Sequence, residues 1–136
     1  MFSLLNSLTQ ENRILRLTTP LGADRLVAEC LRGEEALSQP YELTVTALSS
    51  DAAIPLKSLL GQPVLLELMT ASRDELRPFH GHVTALRRLG ADGGLARYAL
   101  TIAPWYAFLA VGRDSRVFQD RTVFDILDAV FNGWQA

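Results

Sequence analysis

From Leu15 to Ile102 the chain alternates apolar and polar residues with a period of two. Leu15 and Leu17 alternate with Arg16 and Thr18, Leu26, Ala28 and Cys30 with Arg25, Val27 and Glu29, and Tyr41, Leu43, Val45 and Ala47 with Glu42, Thr44 and Thr46. Val64, Leu66 and Leu68 share a face opposite Leu65, Glu67 and Met69, and Phe79, Val83 and Ala85 share another. Ala96, Tyr98, Leu100 and Ile102 form the last apolar row, with Arg97 and Thr101 pointing away. Successive side chains on a strand project to opposite faces, so this pattern predicts six half-buried strands.

Turn residues separate these segments at Thr19–Asp24, Gly33, Ser49–Asp51, Ser72–Glu75 and Gly90–Gly94. Gly93 and Gly94 tolerate positive φ, which predicts a hairpin joining Arg77–Leu89 to Leu95–Ala103. Short connections between consecutive strands favour an antiparallel meander rolled into a barrel or sandwich. The fold expected is mainly β: an antiparallel β-barrel with short helices, covering about residues 13–112.

Periodicity changes elsewhere. Ile54–Gly61 carries Pro55 near its start and Gly61 at its end, the asymmetry of a helix of one or two turns. After Pro104, residues Trp105 to Val111 fit either a second helix or a loop anchored by Trp105, Tyr106 and Phe108. Thr122 is placed to cap a third, in which Val123, Ile126, Leu127 and Val130 recur at i, i+3, i+4 and i+7, an amphipathic helix over about residues 121–132. Phe131 and Trp134 then have nothing downstream to cover them, so the chain reads as part of a longer protein whose further region is absent here.

Composition narrows the class. The 136 residues are 49% hydrophobic and 21% charged, too apolar for a disordered segment and too evenly charged for a membrane protein. With 13 Lys and Arg against 15 Asp and Glu, the net charge of −2 offers no general attraction to phosphate backbones, which argues against nucleic acid as a partner. Residues Met1 to Leu8 lack the basic and apolar regions of a signal peptide, and no run approaches the ~20 apolar residues of a membrane span. Synthesis in the cytoplasm without stable membrane insertion is expected. Cys30, the single cysteine, rules out an intrachain disulfide or a cysteine-based zinc site, and Val27, Ala28 and Leu31 around it predict a buried thiol.

Candidate chemistry is sparse. His80 and His82 lie at i and i+2, so on a strand they share a face and two metal ligands could converge, with Asp74 or Glu75 as a third. Two histidines do not make a site, and packing or hydrogen bonding is the preferred reading. No Gly-x-Ser-x-Gly elbow is present, and Gly90, Gly93 and Gly94 fit neither a P-loop nor a dinucleotide fingerprint. Arg87-Arg88 with Arg97 is the one basic cluster, a solvated face or a meeting point for an acidic partner surface. No catalytic residue, cofactor or metal is expected.

Five blocks in order carry a resemblance. They are Glu34–Leu43, containing Gln39, Pro40 and Tyr41; Leu59–Pro63 around Gly61; Arg77, Pro78, Phe79, His80 and Gly81; Tyr98 through Pro104 and Trp105; and Arg116–Gln119, with Phe118 and Gln119, followed by Val123–Leu127. Together, over about Leu15 to Val130, the chain resembles the amino-terminal region of VgrG, the type VI secretion system spike family related to the phage baseplate hub.

The resemblance implies the first barrel of a hub. Family members are trimers in which two barrels per subunit form a pseudo-sixfold ring on the hexameric Hcp tube, beside baseplate components. The PAAR-repeat tip and effectors join through downstream regions that this chain lacks. The resemblance also implies export by the type VI apparatus, to the outside or into a target cell, and signature residues that mostly serve the fold. Apolar residues on both strand faces, at Leu65, Met69, Leu86 and Leu89, would suit ring neighbours or a thick core alike. Two other readings stay open: an unrelated β-barrel that binds a ligand or protein in a groove lined by Trp105 and Tyr106, and a small enzyme using His80 and His82.

Overall fold

The computed structural model describes residues 8–11, 13–72 and 75–134. The amino-terminal residues 1–7 and Asp74, the carboxylate considered beside the histidine pair, lie outside the described residues, as does the side chain of Trp134. Two compact units follow one another along the chain, dividing after Pro104.

The first unit is one curled antiparallel sheet. Its six strands are β1 (Leu15–Thr18), β2 (Val27–Glu34), β3 (Glu42–Ser49), β4 (Pro63–Met69), β5 (Leu76–Asp92) and β6 (Leu95–Ala103). They lie in the order β1-β4-β5-β6-β3-β2, so the simple meander holds only for β4-β5-β6. The hairpin β2-β3 attaches through β3 to β6, and β1 attaches to β4. The long connection from β3 to β4 makes this order possible: it carries Ile54 and Leu59 into the core, where both are buried. The short helix expected there is a single 3₁₀ turn, Leu56–Ser58, ended by Gly61 at a left-handed φ of 77°. Burying Ile54 and Leu59 on either side of it leaves no residues for a second turn.

Curling brings β1 and β2 close without a ladder between them, leaving an open half-barrel. Gln10 covers this seam: its side-chain amide accepts from Leu17 N at 2.6 Å and donates to Leu17 O at 3.0 Å, satisfying an edge that would otherwise offer free backbone groups. Arg13 Nη1 reaches Ala28 O at 3.5 Å from the same side.

The core is the concave face. Leu17, Leu43, Val45, Val64, Leu66, Val83, Tyr98, Leu100 and Ile102 are all at most 2% exposed, and the alternation in β1, β3, β4 and β6 places them there. Three β-bulges break the alternation. In β2 the register slips between Ala28 and Cys30, so Cys30 pairs with the outward Thr46 and its thiol is exposed, not buried as the sequence predicts; Leu31 turns inward instead. In β5 the slip between Val83 and Ala85 puts Ala85 opposite outward Thr101 and turns Leu86 onto the core, the reverse of the expected face for both. The third, between Arg88 and Gly90, leads to the tip, where Gly93 and Gly94 take φ of 58° and 81° and close the expected hairpin.

The second unit opens with a 3₁₀ turn, Trp105–Ala110, and contains helix α1 (Val123–Phe131). Thr122 caps α1 reciprocally with Asp125: Asp125 N donates to Thr122 Oγ1 at 3.2 Å, and Thr122 N donates to Asp125 Oδ2 at 2.9 Å. These bonds hold the Asp125 carboxyl below its usual range. Phe131 is not left uncovered, because its ring meets Trp105 edge-on with centroids 5.1 Å apart. Among the described residues no helix is long and apolar enough to cross a membrane.

Candidate functional site

The signature residues do not converge on one constellation. The densest group sits where β5 passes from β4 to β6. There Phe79 and Gly81 face the core, opposite Leu66 and Val64 of β4, while His80 and His82 face outward opposite Leu65 and Pro63. Gly81 is required by close approach: an added Cβ would stand 2.7 Å from Ile102 Cγ2 and 2.8 Å from Ala103 O. Gly61 supplies the neighbouring turn, its N–H donating to Val83 O at 2.7 Å while Val83 N donates to Gln62 O at 3.0 Å. Tyr41, half-buried against the core, donates its hydroxyl to the carbonyl of His80. Arg77 lies over the Phe79 ring, 4.7 Å from its centroid, and reaches Glu35 at 3.6 Å.

The other signature residues are scattered. Tyr98 is buried towards the opposite end of β6, where its hydroxyl donates to Asp51 O at 2.8 Å and ties down the connection leaving β3. Gln39 and Pro40 lie exposed on the β2-β3 loop, and Pro104 is buried where β6 ends. In the second unit Phe118 and Gln119 follow Arg116, whose Nη1 donates to Ala129 O at 2.9 Å and whose Nε pairs with Asp114.

This arrangement is rich in backbone contacts and poor in chemistry. The two histidines share an outward face, as their spacing predicts. Partial burial, and then the neighbouring His80, lower the basicity of His82. Among the described residues no group of three or more His, Cys, Asp or Glu is arranged to hold a metal ion. The basic cluster is also divided. Arg97 makes a bidentate pair with Glu29 at 2.8 and 2.9 Å, and Arg88 donates to Ala52 O at 2.8 Å.

Sequence reasoning missed two features. One is the β2-β3 loop, where Leu37 is 96% exposed and Ser38 adopts a left-handed φ of 62°. The other is an apolar face of α1 on which Val123, Phe124 and Leu127 are exposed, although Ile126 and Val130 turn inward in part. Helical periodicity finds apolar positions but does not say which of them are covered.

Comparison with known proteins follows the fold. The family model described as the phage tail baseplate hub (GPD) matches residues 34–136. The type VI secretion system spike protein VgrG1b of Pseudomonas aeruginosa is 37% identical over 127 residues, which are 92% of this chain and 17% of that protein. VgrG1c of the same organism is 36% identical over 125 residues, 90% of this chain and 17% of its own length. The chain thus spans about a sixth of these relatives. Among solved structures, the E. coli c3393 protein is described as a type VI secretion system component similar to the T4 bacteriophage tail proteins gp27 and gp5. It superposes with a TM-score of 0.71 at 27% identity, over 86% of this chain and 31% of that one. With the hub model matching from Glu34 onwards and the same curled sheet beneath it, this chain belongs to the phage tail baseplate hub (GPD) family.

Proposed function

We propose that this chain forms the first barrel of the hub in a type VI secretion spike and works by assembly, with no reaction of its own. The observation that carries this reading is the identity to VgrG spike proteins over 92% of the chain. In the assembled spike three subunits, each contributing this barrel and an equivalent second one, present a pseudo-sixfold ring to the end of the Hcp tube and convert sixfold symmetry to threefold. Baseplate components surround the ring, and the apparatus carries the spike out of the cytoplasm, while the PAAR tip and effectors attach elsewhere on the longer protein. The signature residues serve the fold: Gly61 and Gly81 set backbone paths, and Tyr41, Tyr98 and Arg77 tie loops to strands. The test is native mass spectrometry of the natural gene product from its source. A trimer of a chain several times longer, binding hexameric tube protein, is expected; a discrete 15.0 kDa species that ignores the tube overturns the reading.

A further inference from the structure

Helix α1 is held by its ends and not by its face. At its start Thr122 and Asp125 cap one another. Near its finish Arg116 Nη1 donates to Ala129 O at 2.9 Å, one of the last carbonyls of the helix, which lack partners inside it. Trp105 adds an edge-on contact to Phe131. Yet not one of the nine residues of α1 is buried. Helices shorter than about 12–15 residues are marginal in water and take most of their stability from an apolar face packed in the tertiary structure.

α1 has such a face. At 3.6 residues per turn Val123, Leu127 and Phe124 fall within roughly 100° of one another, the width of the stripe that a helix turns towards a core. Val123 and Phe124 are 69% and 78% exposed, and Leu127 is exposed with them. Among the described residues the helix thus presents a core-facing surface that nothing covers.

Three observations select what covers it. The family match runs from residue 34 through α1 to residue 136, so the helix belongs to the hub region and is no appended tail. The matched stretch is only 17% of VgrG1b and of VgrG1c, so most of the length of these relatives lies outside it. Residues 132–136 alone separate α1 from any continuation, and five residues span at most roughly 18 Å. A segment on so short a tether meets the face at an effective concentration on the order of millimolar, which a second copy or a separate protein in dilute solution does not reach.

We infer that the exposed face formed by Val123, Phe124 and Leu127 is one wall of a core completed by the segment of the same polypeptide that follows residue 136, which docks on it through an apolar face of its own. This rests on the reading above, in which the barrel opens a longer spike chain. The clamps at both ends of α1 shape the surface in advance, so docking has no helix left to order.

The test uses the natural full-length protein with Phe124 or, separately, Leu127 replaced by the photoreactive p-benzoylphenylalanine, irradiated, run on a denaturing gel and mapped by peptide mass spectrometry. Both positions are expected to give a photoproduct with the mass of one chain, linking the α1 peptide to residues beyond 136. In native hydrogen exchange the amides of α1 are expected to exchange about tenfold more slowly, or slower still, in the full-length protein than in the 136-residue chain. Equal exchange of β6 in the two forms checks that the half-barrel folds in both. No photoproduct at either position, a photoproduct of two chains, one confined to residues 1–136, or equal exchange of α1 in both forms would each overturn the inference. Native mass measured on the same sample keeps the two readings apart. A trimer with an uncovered α1 refutes this inference alone, and a long chain that is no trimer but links α1 to residues beyond 136 refutes the spike reading alone.

Discussion

The hydroxyl of Tyr41 donates a hydrogen bond to the backbone carbonyl of His80, joining the residue before β3 to β5 across the end of β6. Two segments far apart in sequence are thus fixed to each other at the point where β6 presses closest on Gly81. Tyr41→Phe keeps the ring against the core and removes the hydroxyl that makes this bond. The variant is expected to keep its circular dichroism spectrum and to lose about 1 kcal/mol in urea unfolding. An unchanged midpoint would show that the bond contributes nothing net.

Gly81→Ala should cost more. The added methyl meets Ile102 Cγ2 at 2.7 Å, a side chain that can shift, and Ala103 O at 2.8 Å, a backbone atom held in the β5-β6 ladder. Overpacking of this kind typically costs about 1–3 kcal/mol. Gly133→Ala serves as the control, because a methyl there meets nothing within 4 Å. Equal urea midpoints for the two variants would refute the close-approach account.

Cys30 gives a direct test of the bulge in β2. With the register slipped after Ala28, the thiol stands on the outer face and should react with a maleimide in the native state, reaching one label per chain without denaturant. Uninterrupted alternation would bury it and require unfolding first. Labelling followed by mass spectrometry distinguishes the two.

His82 predicts a pH dependence. Partial burial and then His80 lower its pKa below the ordinary 6.5, so below that pH the unfolded chain takes up a proton before the folded chain does. The stability contributed by neutral His82 is therefore full above about 6.5 and is lost as pH falls through the folded-state value. Urea midpoints should drop between neutral pH and the lower value, and His82→Gln should flatten that drop. A variant with the native slope would assign the acid sensitivity to other groups.

Much of the half-barrel was legible in the residues. The strands announce themselves through alternation, as in Ala96, Tyr98, Leu100 and Ile102, all buried as their spacing predicts. Gly93 and Gly94 specify their hairpin by the φ values they alone adopt freely, and Thr122 caps α1 through a bond to a residue three positions on. These features depend on neighbours within a few residues, so a local pattern suffices to find them.

What the sequence by itself determined about this protein was the inventory of strands, turns and capped helix, and the family whose motifs they carry. Tertiary structure alone decided how those pieces meet. Pairing β3 with β6 and β1 with β4 joins segments distant in sequence, and no local period specifies it. Bulges at Glu29 and Thr84 then reversed the faces of Cys30, Ala85 and Leu86. The physical reason is that a strand's period of two holds only while its register with both neighbours is unbroken, and a curling sheet breaks register where inward side chains must turn a corner.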